Sequence, residues 1–170
     1  MGGGSKTGGE HPQGARASSD RSACADSTHP SEVLSRKPAA ASAHATGGPD
    51  PRTLAVYART AGAKAGRYES VGSPFLSLFT RVLRLPPGAR ILDVGCGSGR
   101  DLAALAGAGY RVAGVEPVAE LRVEAERRHP RLACCIHPGH LPGSLPHFDA
   151  PFDAVLCSAV LQHLPAAHHP

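Results

Sequence analysis

Apolar positions in this chain change their spacing along its length, and each change predicts a different element. Over about 52–66 the apolar residues are mostly alanine at helical spacing, with Tyr57 the one aromatic. Ser73-Pro74 places a capping residue ahead of a proline suited to a first helical turn. Phe75, Leu76, Phe79, Val82 and Leu83 then fall at i, i+1, i+4, i+7 and i+8, which predicts a second helix, ended by Leu85-Pro86-Pro87-Gly88. From Arg90 onward the spacing shortens. Arg90–Val94 predicts a strand, residues 100–107 a helix with Leu102 and Leu105 on one face, and Tyr110–Val115 a second strand. Pro117 opens a charged helix over 117–128, and Leu132–Ile136 and Phe152–Cys157 predict strands three and four around a connection at 137–151. Strands alternating with helices on short connections imply right-handed βαβ units and a parallel sheet, so the fold class is α/β.

Composition divides the chain. Residues 1–50 contain three large apolar side chains, Met1, Val33 and Leu34, and all seven aromatic residues come later. So little apolar surface cannot offset the entropy of ordering, and the expectation is a disordered leader over 1–50 and a folded domain over 51–170. The net charge of +4 belongs to the second part, spread along it without a basic run or interleaved aromatics, and nothing there indicates a nucleic-acid partner. Cys24, Cys96, Cys134, Cys135 and Cys157 are odd in number and contain no C-x-x-C pair, which argues against a disulfide framework or zinc ribbon and for a reducing cytoplasm. No apolar run approaches the roughly 18 residues of a membrane helix. The expected location is therefore cytoplasmic, with no membrane partner.

The chemistry concentrates in Asp93-Val94-Gly95-Cys96-Gly97-Ser98-Gly99. Glycines at a strand-to-helix turn tolerate φ > 0 and let a ligand approach the backbone, and the helix that follows contributes free N–H groups. Glu116 lies 21 residues beyond Gly95, at the predicted end of the neighbouring strand, where a carboxylate can accept from both hydroxyls of a ribose. A nicotinamide-dependent enzyme is disfavoured, because Arg100 stands where the dinucleotide fingerprint has its third glycine. Asp93, just before the cluster, suits a ligand with an ammonium group better than a pyrophosphate. These residues, with Phe152-Asp153-Ala154-Val155-Leu156, resemble the class I S-adenosylmethionine-dependent methyltransferases, with the type 11 branch the nearest in pattern.

The resemblance implies a Rossmann-like doubly wound parallel sheet, preceded by helices, and S-adenosyl-L-methionine as cofactor. It implies a cofactor-binding set of Asp93, Gly95, Cys96, Gly97, Gly99, Glu116, His140 and Ser158. In it Asp93 holds the amino-acid end, Glu116 the ribose, and His140 stands where the family often has an acid near the adenine. The helix bearing Tyr57, and Tyr68 beyond it, would cover the site. Val160-Leu161-Gln162-His163-Leu164 resembles the family segment beside the methyl donor, which makes His163 the candidate base for a small-molecule methyl acceptor.

Other groups have plainer readings. Cys134, Cys135, His137 and His140 are compact in sequence, but adjacent strand cysteines point to opposite faces, so no metal site is expected. Cys96 serves as a small side chain in the turn, and no nucleophile-elbow pattern surrounds Ser158. The family sheet has about seven strands in the order 3-2-1-4-5-7-6, whereas four are predicted here. The expectation is either a truncated cofactor-binding half or one whose strand-4 edge another chain covers. A cofactor-binding chain without turnover is the alternative.

Overall fold

A computed structural model describes Cys24 and residues 48–164 of the chain. Apart from Cys24 and residues 48–50, the expected leader lies outside the described residues. Helix α1 spans Pro51–Glu69, with Pro51 in its first turn and the Asp50 carboxylate accepting from the N–H groups of Arg52 and Thr53 at 3.2 Å each. Strands β1 (Arg90–Val94), β2 (Arg111–Val115), β3 (Ile136–His137) and β4 (Ala154–Leu156) alternate with helices α2 (Arg100–Gly107) and α3 (Ala119–Arg128). The four strands form one parallel sheet in the order β3-β2-β1-β4.

Strand periodicity sorts the core into two faces. Ile91, Val112, Ile136 and Leu156 bury one face against Leu102 and Leu105 of α2 and Ala125 of α3. Leu92, Val94, Ala113 and Val115 bury the other against Leu141, Phe148 and Phe152 of the long connection. The chain thus winds one way through β1, β2 and β3, then reverses to β4 across the opposite face. The doubly wound expectation holds, although an irregular connection covers the second face instead of a helix. The reversal between β1 and β4 is the topological switch point, where open α/β sheets form a crevice at the carboxyl ends of their strands.

Several elements differ from the periodicity. The stripe after Ser73-Pro74 settles into a five-residue π-helical turn, Leu78–Val82, closed by Leu83 N–H donating to the Leu78 carbonyl at 3.0 Å. Phe79 points into the core, while Val82 and Leu83 are exposed. The third strand starts at Ile136, not Leu132, because Pro130–Leu132 forms a 3-10 turn and Cys134 takes a φ of 71°. Leu132 is buried as expected, but from that turn. The fourth strand is shorter than expected at both ends, since Phe152 turns aside to pack edge-on to Phe148 and under the Arg90 guanidinium.

Cysteine pairing is the clearest departure. Cys24 and Cys135 form a disulfide with a Cα–Cα distance of 5.2 Å, and Cys24 makes a parallel bridge with Val112 at the edge of β2. Residues 111 positions apart gave the cysteine spacing nothing to register. Since Cys134 sits in a turn, the two-face argument for Cys134 and Cys135 does not apply. The Cys/His group is separated for other reasons: Cys134 is exposed, Cys135 is bonded to Cys24, and the His137 ring packs edge-on to Phe148.

Candidate functional site

A cavity of about 220 Å³ opens at the carboxyl ends of β1, β2 and β4. Its floor is the turn from β1 into α2. Gly95, Gly97 and Gly99 all have positive φ, between 56° and 78°, as the turn requires. Two of them are also closely crowded by side chains. A Cβ on Gly95 would run into Val160, and one on Gly99 would lie 2.9 Å from Leu132 Cδ1. The turn is stitched to the neighbouring strand by the N–H groups of Gly95 and Cys96, which donate to the Val115 carbonyl at 2.7 and 3.1 Å.

Glu116 continues directly from β2 and is 4 % exposed. Its Oε2 accepts from Gly97 N–H at 3.0 Å and its Oε1 from Val118 N–H at 2.9 Å. One carboxylate therefore ties the glycine turn to the start of α3. Burial pushes the Glu116 pKa up, while those two N–H donors and Arg122 oppose the rise. Each oxygen keeps a second lone-pair direction, so the group can still accept from a ligand.

Asp93 differs. It is 3 % exposed, lines the cavity, and makes no hydrogen bond or ion pair among the described residues. Burial, with the nearby charges of Asp101 and Glu116, pushes its pKa up to about 8, and Arg100 only partly offsets them. An unpartnered buried carboxylate facing a cavity is suited to a cation with N–H donors.

Helix α1 roofs the cavity. Its last turn is fastened to the glycine turn: Ser98 Oγ donates to Glu69 Oε1 at 2.7 Å, and Arg100 Nη1 donates to the Tyr68 carbonyl at 3.2 Å. His129 Nε2 meets the same Glu69 oxygen at 3.1 Å. The Tyr68 ring lies above Gly97, about 3.7 Å from where a Cβ would stand. Higher on the helix, Tyr57 faces the cavity, and Ala61 packs with Val118 and Leu121 to seat α1 on α3.

Of the residues singled out from sequence, Asp93, Gly95, Cys96, Gly97, Glu116, His140, Ser158 and His163 all line this cavity. Gly99 does not; it turns its Cα toward Leu132 and Ala125, beneath the turn. The Cys96 thiol is buried, and burial raises its pKa well above the usual thiol value, which leaves it inert at neutral pH. His140 pairs through its backbone with Ser144, and its Nδ1 sits 3.0 Å from the Leu141 carbonyl. Among the described residues no group of three or more His, Cys, Asp or Glu is arranged to hold a metal. Sequence reasoning missed Asp101, which forms a 2.8 Å ion pair with Arg100 in the wall, and the Glu69–Ser98–His129 contacts. Asp101 had a visible signal, an acid in the first turn of the helix after the glycines. The other contacts join residues too far apart in sequence to leave one.

A family model described as a methyltransferase domain matches residues 91–170. The chain is 34% identical over 104 residues to the protein-L-isoaspartate O-methyltransferase of Gloeobacter violaceus, covering 59% of this chain and 50% of the relative. It is 35% identical over 107 residues to that of Methylorubrum populi, covering 60% and 49%. Over this stretch the chain is similar to the class I S-adenosylmethionine-dependent methyltransferases. It spans about half the length of the curated relatives it matches. A solved S-adenosylmethionine-dependent methyltransferase from Geobacter sulfurreducens, in complex with S-adenosyl-L-homocysteine, is 27% identical, with 54% of this chain and 38% of that chain covered at a TM-score of 0.43. A second, from Thiobacillus denitrificans and also in complex with S-adenosyl-L-homocysteine, is 30% identical, with 51% and 36% covered at a TM-score of 0.40. The cofactor of the family is S-adenosylmethionine, and the unpartnered Asp93 carboxylate fits the ammonium group of such a ligand. Among the described residues no helix is long and apolar enough to cross a membrane.

Proposed function

We propose that the chain binds S-adenosylmethionine in the cavity at the ends of β1 and β2 and serves methyl transfer to an acceptor beside His163. The observation that carries this reading is the Asp93 carboxylate, buried and unpartnered at the cavity floor. In this reading Asp93 holds the amino-acid end of the cofactor, and Glu116 accepts from the ribose hydroxyls while still bracing the glycine turn. Gly95 and Gly97 pass beneath the ligand, Cys96 and Ser158 complete the wall, and His140 borders the adenine. Gly99 acts from behind the turn. The sulfonium supplies an activated methyl group, whose in-line transfer needs positioning above all. His163 would take a proton from an O–H or N–H acceptor.

Two acceptor classes are carried forward. A small molecule is the reading from the sequence motifs, while the names of the curated relatives favour an isoaspartyl carboxylate. Calorimetric titration of the full chain with S-adenosylhomocysteine tests the cofactor site: a folded chain that binds none of it would sink the proposal. Labelled donor supplied with an isoaspartyl peptide and with a panel of small amines, alcohols and acids then separates the two acceptors. Binding without transfer to any of them favours the alternative of a cofactor-binding chain without turnover.

Cover for β4 belongs to the same proposal. Val155 is 59 % exposed on this edge strand, and an open edge pairs readily with another chain. A partner chain there predicts a complex heavier than the monomer by sedimentation. Cytoplasmic residence enters only with Cys24 and Cys135 as thiols, since glutathione keeps cytosolic cysteines reduced.

A further inference from the structure

Tyr57 and His163 come from opposite ends of the fold, 106 residues apart, and meet at the cavity wall. The Tyr57 hydroxyl lies 3.3 Å from His163 Nε2, and the two rings stand at 83° with centroids 5.6 Å apart. The Gln162 amide nitrogen, a donor only, also approaches Nε2 at 3.4 Å. A ring nitrogen facing an amide donor and a hydroxyl free to donate is an acceptor, which places the imidazole proton on Nδ1. Lys64, two helical turns after Tyr57, carries its Nζ 4.1 Å from the centre of the Tyr57 ring.

We propose that Tyr57 is the positioning residue for His163. Its hydroxyl keeps Nε2 as the basic nitrogen, and its ring edge fixes the imidazole plane at the cavity wall. The assignment rests on the proposed placing of the acceptor beside His163, and gives α1 a task beyond covering the cofactor: it sets the tautomer of the base from across the cavity. The remaining charged or titratable groups of this wall do not compete for Nε2. Tyr68 interacts with the Tyr57 hydroxyl and not with His163, and Glu69 is engaged by Ser98 and His129.

The test is spectroscopic. Long-range proton–nitrogen correlation spectra of the full nitrogen-15-labelled chain report the tautomer of each histidine, with the His163 signals assigned by their loss in His163→Gln. The wild-type chain shows His163 in the Nδ1–H form. Tyr57→Phe keeps the ring and removes the hydroxyl, and it shifts the tautomer ratio toward Nε2–H by about fivefold, the equivalent of one net hydrogen bond. Gln162→Leu, which removes the longer 3.4 Å contact, shifts the ratio less than Tyr57→Phe does. An Nε2–H form in the wild-type chain overturns the proposal without recourse to any variant, as does a ratio that changes in Gln162→Leu but not in Tyr57→Phe. These spectra need no cofactor. A wild-type chain that fails to bind S-adenosylhomocysteine therefore counts against the methyl-transfer reading and leaves the Tyr57 result standing.

Discussion

Replacing Asp93 by Asn separates what this carboxylate costs the fold from what it gives the ligand. Its pKa stands at about 8 in the folded chain, against 3.8 for a free aspartate. A raised acid pKa means the folded state holds a proton that the unfolded chain has already released. Stability is therefore unaffected by this group below about pH 4, falls as pH rises from there, and reaches its full deficit above about pH 8. Each unit of separation is about 1.4 kcal/mol, so the full deficit is on the order of 6 kcal/mol, with roughly 3 kcal/mol of it developing between pH 5 and pH 7. Asn has nearly the same shape and does not ionise, so it escapes that loss. At about 4 °C per kcal/mol for a domain of this size, the melting-temperature difference between Asp93→Asn and wild type should widen by roughly 10 °C between pH 5 and pH 7. Differential scanning calorimetry at the two pH values measures it. The same variant should lose most of its affinity for S-adenosylhomocysteine, because an amide cannot neutralise an ammonium group. A difference that is the same at both pH values would refute the reasoning, since it would mean that Asp93 ionises normally in the folded chain.

Further outcomes follow from the same geometry. Glu116→Gln keeps one acceptor oxygen but loses the charge and one of the two N–H contacts, and should weaken S-adenosylhomocysteine binding about tenfold or more by calorimetry; unchanged affinity would remove Glu116 from the ribose site. Gly95→Ala forces a Cβ against Val160 at a positive φ, and should lower stability by about 2 kcal/mol or more by urea titration. Reducing the Cys24–Cys135 disulfide, which closes a separation of 111 residues, should destabilise the chain by roughly 2–4 kcal/mol, and peptide mapping without reductant should recover the pair directly.

Features set by local chemistry were legible in the sequence. The strand-to-helix turn at Gly95–Gly99 and the bounds of α2 follow from glycine placement, and the acid closing β2 from its spacing. Eight of the nine proposed site residues line one cavity because most belong to a strand end or to the turn after it, and a parallel sheet gathers those ends on one side; His163 joins them from the 3-10 turn Leu161–His163. The errors share a cause as well. Apolar spacing alone puts Leu132 and the residues after Ser73 in regular elements, but spacing registers burial, and turns can bury residues too. Pro130 and the positive φ of Cys134 decide the first case, and the five-residue closure of the π-helical turn decides the second. Gly99 lies one layer below the cavity lining, and a Cβ there would meet Leu132 and Ala125 from beneath the turn.

Several unfavourable features of this fold also collect in one place. Asp93 is buried without a partner, Glu116 is buried with its charge only partly compensated, three glycines hold positive φ, and Ala159, after β4, takes a φ of 55° despite its Cβ. Each is a local loss that a core residue of ordinary chemistry would avoid, and Asp93, Glu116 and Ala159 all line the same cavity. Regular packing accounts for the two sheet faces without them: the leucines of α2 and the aromatic residues of the long connection are satisfied as they stand. A ligand with an ammonium group and hydroxyl donors would relieve the two carboxylates together, so their deficit in the folded chain becomes part of its binding energy. Affinity in this pocket and instability of the ligand-free chain then have one origin, and the two should be lost together in Asp93→Asn.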